Sequence, residues 1–96
     1  MIGKYCIIRT NQAGVFAGYI VSKDGTETTI KNCRKLWYWS GAKTVEEIAL
    51  YGVKNKNNCK FTVTVDECTV MGTIQIIPCT DIAKECILSV YDWKVE

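Results

Sequence analysis

Residues 14–32 read GVFAGYIVSKDGTETTIKN, and this stretch decides the fold class. Its first part, residues 14–22, alternates like a half-buried strand whose apolar face is made by Val15, Ala17, Tyr19 and Val21. The Asp-Gly pair predicts a hairpin turn at residues 23–26, because these residue types tolerate the positive φ angles of tight hairpins. The return strand, residues 27–32, has Ile30 as its only large apolar residue, so we expect it to be exposed.

Further short strands are predicted on both sides of this hairpin. The clearest lies at residues 59–65, where alternation turns Phe61, Val63 and Val65 inward. Other strands are expected at residues 4–10, with apolar residues on both faces, and at residues 73–77 and 87–93. The run at residues 33–39 either continues the return strand or begins a new one.

One convincing helix follows residue 44. Thr44 and Glu47 have the spacing of a capping box, and Gly52 fits the C-terminal stop. The apolar face of this helix is made by Val45, Ile48 and Ala49. Thr80 is expected to cap a second, shorter helical turn over residues 81–85.

These elements predict a single α+β domain that spans residues 1–96. It is a small β-rich domain of roughly five to seven short strands with one or two short helices, and a partly open barrel is one arrangement that fits. A chain of 10.8 kDa supports only a modest core. A substantial binding pocket is therefore more easily shared between subunits than formed within one chain.

The residue types present argue against an enzyme. The chain has no His, which excludes a Ser-His-Asp triad, a Cys-His dyad and a histidine metal site. The neighbouring acids Glu46 and Glu47, and Asp66 and Glu67, lack the shared-face geometry of paired-carboxylate catalysis. Gly residues are scattered and form no phosphate-binding loop. We expect no catalytic residues, no metal site, no cofactor and no enzymatic activity.

The cysteines and the N-terminal segment bear on the compartment. No C-x-x-C pair occurs among the six cysteines, so we expect reduced, mostly buried thiols, with disulfides and a zinc site as open alternatives. No long apolar run follows the N-terminal charge, and no stretch approaches about 18 apolar residues, so neither a signal peptide nor a membrane span is predicted. We expect a cytosolic protein, or one packed into a particle assembled in a cytosol, with no membrane partner.

The net charge of +2 conceals an uneven distribution. Residues 1–60 carry ten Lys or Arg and four Asp or Glu, a balance of +6, whereas residues 61–96 carry two Lys and six Asp or Glu, a balance of −4. A basic pole and an acidic pole favour self-association, or the binding of an anion at the basic pole. The alternative is that the charges cluster by chance.

The aromatic and basic run at residues 34–39 is the candidate ligand-binding segment. Strand alternation predicts Trp37 and Trp39 on one face with Lys35, and Tyr38 on the other face with Arg34. Tryptophan rings beside cations suit the stacking of a base and the binding of a phosphate. The same residues also suit a core or a subunit interface, and an inter-subunit pocket would combine both roles.

This segment resembles that of a group of short proteins of unknown function encoded by tailed phages and prophages. The resemblance rests on a basic pair before Leu-Trp-Tyr-Trp, followed by Gly-Ala, at residues 34–42. It extends over most of the chain, through residues 7–10, 13–16, 45–52, 59–61 and 76–80. The resemblance implies a viral genome and a bacterial host cytoplasm, and it carries over no functional residues.

Three functions remain in view. The leading hypothesis is a homo-oligomeric phage accessory protein that sequesters a small anionic, nucleotide-like ligand and so counters a host defence. In this hypothesis Arg34, Lys35, Trp37, Tyr38 and Trp39 bind the ligand between subunits. The alternatives are a structural or decoration protein of the virion, and an inhibitor that binds a host protein.

Overall fold

The computed structural model describes residues 2–95 and follows the predicted β-rich pattern. Six strands, β1 to β6, lie at Tyr5–Thr10, Val15–Asp24, Glu27–Tyr38, Lys60–Phe61, Val65–Val70 and Thr73–Pro78. Helices α1 and α2 lie at Val45–Tyr51 and Asp81–Ser89, and a single 3-10 turn lies at Lys56–Asn58. The strands form one antiparallel sheet beside the helices, which confirms the prediction of a small β-rich α+β domain.

The predicted hairpin is formed by β2 and β3. Asp24 pairs with Glu27, so the loop consists of Gly25 and Thr26 and the turn is shifted by one residue from its predicted position. Gly25 adopts a φ of 61°, which glycine reaches without a steric penalty. β3 also continues through the aromatic run as far as Tyr38, which settles the alternative left open for residues 33–39.

The sheet is strongly curved. Its strand order is β4-β3-β2-β1-β6, and β5 pairs with the first half of β3, so β5 and β6 stand at opposite ends. Only Met71 and Gly72 connect these two strands. Four strand spacings in a flat sheet would separate them by roughly 19 Å, whereas three peptide steps span at most about 11 Å. The sheet therefore curls toward itself, and it stays open because no ladder joins β5 to β6 within residues 2–95.

Both faces of β1 are buried, in agreement with its apolar pattern. Tyr5 and Ile7 belong to a first core cluster that includes the helix residues Val45, Ile48, Ala49 and Ile87. Cys6 and Ile8 belong to a second cluster, which consists of strand residues and includes Ile20, Ile30, Cys33 and Val70. β1 therefore separates a helix-covered core from a strand-lined core.

The prediction that residues 27–32 form an exposed strand is wrong. β3 is paired along both edges, by β2 on one side and by β5 and β4 on the other. Thr28 and Ile30 are completely buried. The hydroxyl of Thr28 lies 2.8 Å from that of Thr73, so this polar side chain is hydrogen-bonded inside the protein. A largely polar strand can therefore lie in the interior of the sheet, paired along both of its edges.

The predicted strand at residues 59–65 is also wrong in most of its length. Only Lys60–Phe61 pairs as β4, and Val63 and Val65 are exposed rather than buried. Just beyond β4, the Thr62 amide still donates to the Lys35 carbonyl, whereas the Thr62 carbonyl accepts a hydrogen bond from the side-chain Nε of Arg34, each at 3.0 Å. The next strand, β5, begins at Val65 and was not anticipated.

The helices lie where their caps predict, but α2 is longer than expected. Thr44 accepts a hydrogen bond from the Glu47 amide in α1, and Thr80 accepts one from the Ala83 amide in α2. The predicted final strand at residues 87–93 is wrong, because Ala83 and Ile87 are buried together one helical turn apart and extend α2 to Ser89. Within residues 2–95, no helix has the length and apolar run needed to cross a membrane.

Candidate functional site

Arg34 lies beneath the candidate site rather than in it. Its side chain is 2% exposed, and its guanidinium is surrounded by acceptors from three parts of the chain. Nη1 donates to the carbonyls of Ile87 and Val90, at 2.8 and 2.9 Å. The other groups that accept from Arg34 are the carbonyls of Thr62, Phe61 and Tyr91 and the carboxylate of Asp92. These acceptors use the donors of the guanidinium, which a ligand would otherwise need.

The same contacts hold the segment after α2 against β4. Asp92 forms a parallel bridge with Phe61, and the Trp93 amide donates to the Phe61 carbonyl at 2.9 Å. Burial lowers the pKa of the Arg34 guanidinium, whereas the nearby Asp92 carboxylate raises it. Arg34 remains charged because arginine starts from a pKa above about 12. It therefore acts as an internal anchor that places Trp93 on the surface.

Trp93 stacks on Trp37 at the surface of the domain. The ring centroids are 4.8 Å apart and the ring planes differ by 21°. Trp37 is 54% exposed and Trp93 is 41% exposed, and Tyr38 beside them is 51% exposed. Aromatic side chains of this size seldom stay this exposed together on a monomeric protein without an interaction to make.

Lys60 contributes positive charge to this surface. Its Nζ lies 5.6 Å from the Trp37 centroid, 5.3 Å from the Trp93 centroid and 6.0 Å from the Tyr38 centroid. A cation above an outer face of the stack would be one ring spacing farther from the second tryptophan. Because Lys60 Nζ is almost equally distant from the two tryptophan centroids, Lys60 lies beside the stack. It does not cover the outer face of either tryptophan ring. We call Trp37, Tyr38, Lys60 and Trp93 the aromatic patch.

A second concave surface lies where the ends of the sheet approach each other. This groove has a volume of about 540 Å³ and is lined by Asn11, Gln12, Ala13, Phe16 and residues 68–72. That volume falls within the range of small-molecule sites. The amides of Asn11 and Gln12 stand at its edge, and Cys68 and Met71 contribute sulfur atoms.

The sequence of this chain matches one family model, which is described as "Domain of unknown function (DUF6948)" and covers residues 3–87. The chain belongs to this family. No curated protein and no solved structure matches the chain. In this DUF6948 domain, Trp37, Tyr38 and Lys60 lie inside the matched range and Trp93 lies beyond it.

The five residues predicted to bind a ligand in this DUF6948 domain lie in four different environments. Trp37 and Tyr38 belong to the aromatic patch. Arg34 is buried, Lys35 lies with its Nζ 5.8 Å from the Phe16 ring, and Trp39 packs against the first core cluster. Strand alternation does not carry Trp39 to Trp37, because β3 shifts register between Leu36 and Tyr38 and ends there.

Neither Lys60 nor Trp93 is among the residues that the sequence predicts to bind a ligand. Lys60 follows two lysines of the loop before it, Lys54 and Lys56, and this local cluster of positive charge is a signal that could have indicated an anion site. Trp93 gave no comparable signal, because its contact with Trp37 depends on a bridge between Phe61 and Asp92 that is distant in sequence.

The cysteines and acids of residues 2–95 form no group of three or more that could hold a metal ion. All six cysteines are free thiols, of which Cys6, Cys33 and Cys59 are buried and the other three are half-buried. The buried thiol of Cys33 and the half-buried thiol of Cys68 approach each other closely.

Proposed function

We propose that this DUF6948 domain is a non-enzymatic binding protein that sequesters a small anionic, nucleotide-like ligand at the aromatic patch. The observation that carries the proposal is the exposed stack of Trp37 and Trp93 with Lys60 beside it. Stacking of one base on an aromatic side chain is worth about 1–3 kcal/mol, and it does not depend on which base is present. A phosphate that extends from the base would reach the Lys60 ammonium.

The proposal changes the residues expected to bind the ligand. Trp37 and Tyr38 keep the role predicted from the sequence, whereas Lys60 and Trp93 replace Arg34, Lys35 and Trp39. Arg34 acts one layer deeper, because it positions Trp93 through the carbonyls of the C-terminal segment. Its loss would therefore weaken binding through the position of Trp93.

The proposal includes a homo-oligomer, because one protomer offers a platform rather than an enclosed pocket. The hollow next to the stack has a volume of about 310 Å³ and is lined by Trp93, Lys94 and Val95. Small-ligand sites generally cover most of their ligand. A second copy that covers the aromatic patch would complete such a site, and the opposite charge balances of residues 1–60 and 61–96 favour this association.

The biological setting is also part of the proposal. The resemblance to short proteins of tailed phages suggests an accessory protein that acts in the cytoplasm of a bacterial host and removes a nucleotide signal from a host defence. A second candidate function is a protein interface, either within a virion or with a host protein. The apolar area exposed by Trp37, Tyr38 and Trp93 favours it, since aromatic residues are enriched at protein interfaces.

The test is a thermal-shift screen against cyclic nucleotides and ADP-ribose derivatives, followed by calorimetric titration of any compound that stabilises the protein. We expect Trp37→Ala and Lys60→Gln to weaken binding at least tenfold. Tyr51→Ala and Lys56→Gln, which change an exposed aromatic and an exposed cation elsewhere, should leave it unchanged. Absence of stabilisation by every nucleotide at high concentration would reject the proposal. Recovery of the protein in purified virions would favour the structural alternative.

A further inference from the structure

Cys33 and Cys68 form a thiol pair inside the sheet. Their Sγ atoms lie 2.9 Å apart, on the adjacent strands β3 and β5. A disulfide bond is about 2.05 Å long, so the two sulfur atoms need to move together by less than about 1 Å. The ladder between β3 and β5 holds the two cysteines in this approach.

This approach depends on an irregularity in β3. Cys68 pairs with Ile30, and regular alternation would place Cys33 on the opposite face of the strand from Ile30. Asn32 has a φ of 52°, the only positive value at a non-glycine residue within residues 2–95. The left-handed residue breaks the alternation, so Cys33 and Ile30 both enter the second core cluster, against which Cys68 packs.

The two thiols differ in accessibility. Cys68 is half-buried and lines the groove of about 540 Å³, whereas Cys33 is 2% exposed. Burial raises the pKa of the Cys33 thiol, and the hydrogen bond and charge of Cys68 raise it further. Cys33 is therefore protonated under ordinary conditions, and a reagent in the groove meets Cys68 first.

The other thiols within residues 2–95 have different neighbours. Cys59 Sγ lies 3.4 Å from the carbonyl oxygen of Asn55, and Cys86 Sγ lies 3.3 Å from that of Val53. Cys6 Sγ lies 3.6 Å from the carbonyl oxygen of Lys4. These contacts occupy the sulfur atoms of Cys6, Cys59 and Cys86 with backbone groups. Cys79 is near Cys6, but it packs against the first core cluster, whereas Cys6 belongs to the second.

We propose that Cys33 and Cys68 are a redox-active dithiol, which a small disulfide enters through the groove and oxidises to an intramolecular disulfide. The oxidant class is a low-molecular-weight disulfide such as oxidised glutathione. This modification site is separate from the aromatic patch and does not depend on the proposed function.

The reaction proceeds by two thiol–disulfide exchanges. The Cys68 thiolate attacks one sulfur of oxidised glutathione, which forms a mixed disulfide and releases one glutathione thiolate. Cys33 then loses its proton and attacks the Cys68 sulfur, which forms the Cys33–Cys68 bond and releases the second glutathione. Two protein thiols lose two electrons and two protons, and one molecule of oxidised glutathione gains them as two thiols.

The experiment treats the full chain with increasing ratios of oxidised to reduced glutathione, alkylates the remaining thiols and maps the peptides by mass spectrometry. We expect the Cys33–Cys68 peptide pair to appear before any other linkage. A different pair that forms first, or a Cys33 that stays alkylatable at every ratio, would overturn the proposal.

Two variants separate the steps. Cys33→Ala should stop the reaction at a stable mixed disulfide of Cys68 with glutathione. Cys86→Ala, which removes a half-buried thiol that faces a carbonyl, should leave the Cys33–Cys68 linkage unchanged. A Cys33→Ala protein in which Cys68 forms no mixed disulfide would contradict access through the groove, and the mapping of the unaltered chain does not depend on how either variant folds.

Discussion

The Arg34 guanidinium and the Asp92 carboxylate form an ion pair, with 3.2 Å between Nη2 and Oδ1, in which the two partners are not equivalent. The Arg34 side chain is 2% exposed, whereas the Asp92 side chain is 45% exposed. Arg34 also donates to backbone carbonyls of Ile87 and Val90. Removal of Asp92 therefore leaves the guanidinium hydrogen-bonded. Removal of Arg34 takes the donor from the Val90 carbonyl and leaves the Ile87 carbonyl with only the Val90 amide, at 3.4 Å.

This asymmetry predicts unequal effects of mutation on stability. Arg34→Met should lower the free energy of unfolding by about 3–5 kcal/mol, because buried acceptors lose their partner. Asp92→Asn should cost less than about 1 kcal/mol, since its side chain is partly solvated. Urea denaturation monitored by circular dichroism measures both values. Equal losses for the two variants would contradict the role of Arg34 as the internal anchor.

The stack of Trp37 and Trp93 predicts a spectroscopic signature. Two nearly parallel indoles at 4.8 Å couple electronically and should give an exciton band in circular dichroism. Trp93→Ala should abolish this band and lower the free energy of unfolding by about 1 kcal/mol, because a partly exposed aromatic pair is lost. Trp39→Phe is the control and should retain the band. A parent protein that lacks the band would contradict the stack, and a band that persists in Trp93→Ala would have to come from other aromatic residues.

Two glycines with positive φ should differ sharply in how well they tolerate substitution. A Cβ atom on Gly52 would lie 2.6 Å from both Cβ and Sγ of Cys86, at a φ of 79°. Gly52→Ala should therefore cost about 2–4 kcal/mol through strain and overlap between α1 and α2. Gly25 has no atom within 4 Å of the same position, so Gly25→Asn should cost less than about 1 kcal/mol. Thermal denaturation of both variants decides the comparison.

The buried thiols and a buried tyrosine hydroxyl predict that the protein loses stability at alkaline pH. Burial raises the pKa of the Cys79 thiol to about 12 from a usual value of 9.0, and nearby Cys6 adds to this effect. Burial also raises the pKa of Tyr5 and of Cys33. Between about pH 9 and pH 12, Cys79 loses its proton in the unfolded chain but keeps it in the folded protein. Rising pH therefore favours the unfolded state, and the free energy of unfolding falls.

The urea midpoint at a series of pH values measures this effect. Cys79→Ala should make the decline between about pH 9 and pH 12 shallower. Below that window both states keep the Cys79 proton, so the variant should differ from the parent protein by a constant amount there. An unchanged slope in Cys79→Ala would exclude Cys79 as a source of the alkaline sensitivity.

Local signals predicted the parts of the fold that short segments determine. Asp24 and Gly25 marked the hairpin, and Thr44 and Thr80 marked the starts of both helices, because a turn or a cap depends on residues three or four apart. The predictions at residues 59–65 and 87–93 are wrong where contacts distant in sequence determine the structure. Ala83 and Ile87 are buried as α2 extends to Ser89. Arg34 donates to the carbonyls of Thr62 and Val90, a contact that no local periodicity reports.

The residues of the candidate site also differ in how far the sequence predicts their positions. Trp37 and Tyr38 could be selected from composition, because aromatic residues beside cations are informative on their own. The burial of Arg34 could not be predicted, because no local sequence feature indicates that six acceptors surround its side chain. The irregularity at Asn32, which brings Cys33 to Cys68, also has no sequence signature beyond the tolerance of asparagine for a positive φ.

The position of β1 has a consequence for how the chain folds during synthesis. β1 pairs with β2 on one edge. Its other edge pairs with β6, for example Ile7 with Ile77, and stays unpaired until β6 has been synthesised. For most of translation that edge presents free amides and carbonyls beside two apolar faces, which is the kind of surface on which nascent chains aggregate. The sheet becomes complete only when residues 73–78 leave the ribosome, so chains cut short before β6 should depend on chaperones more than the full chain does.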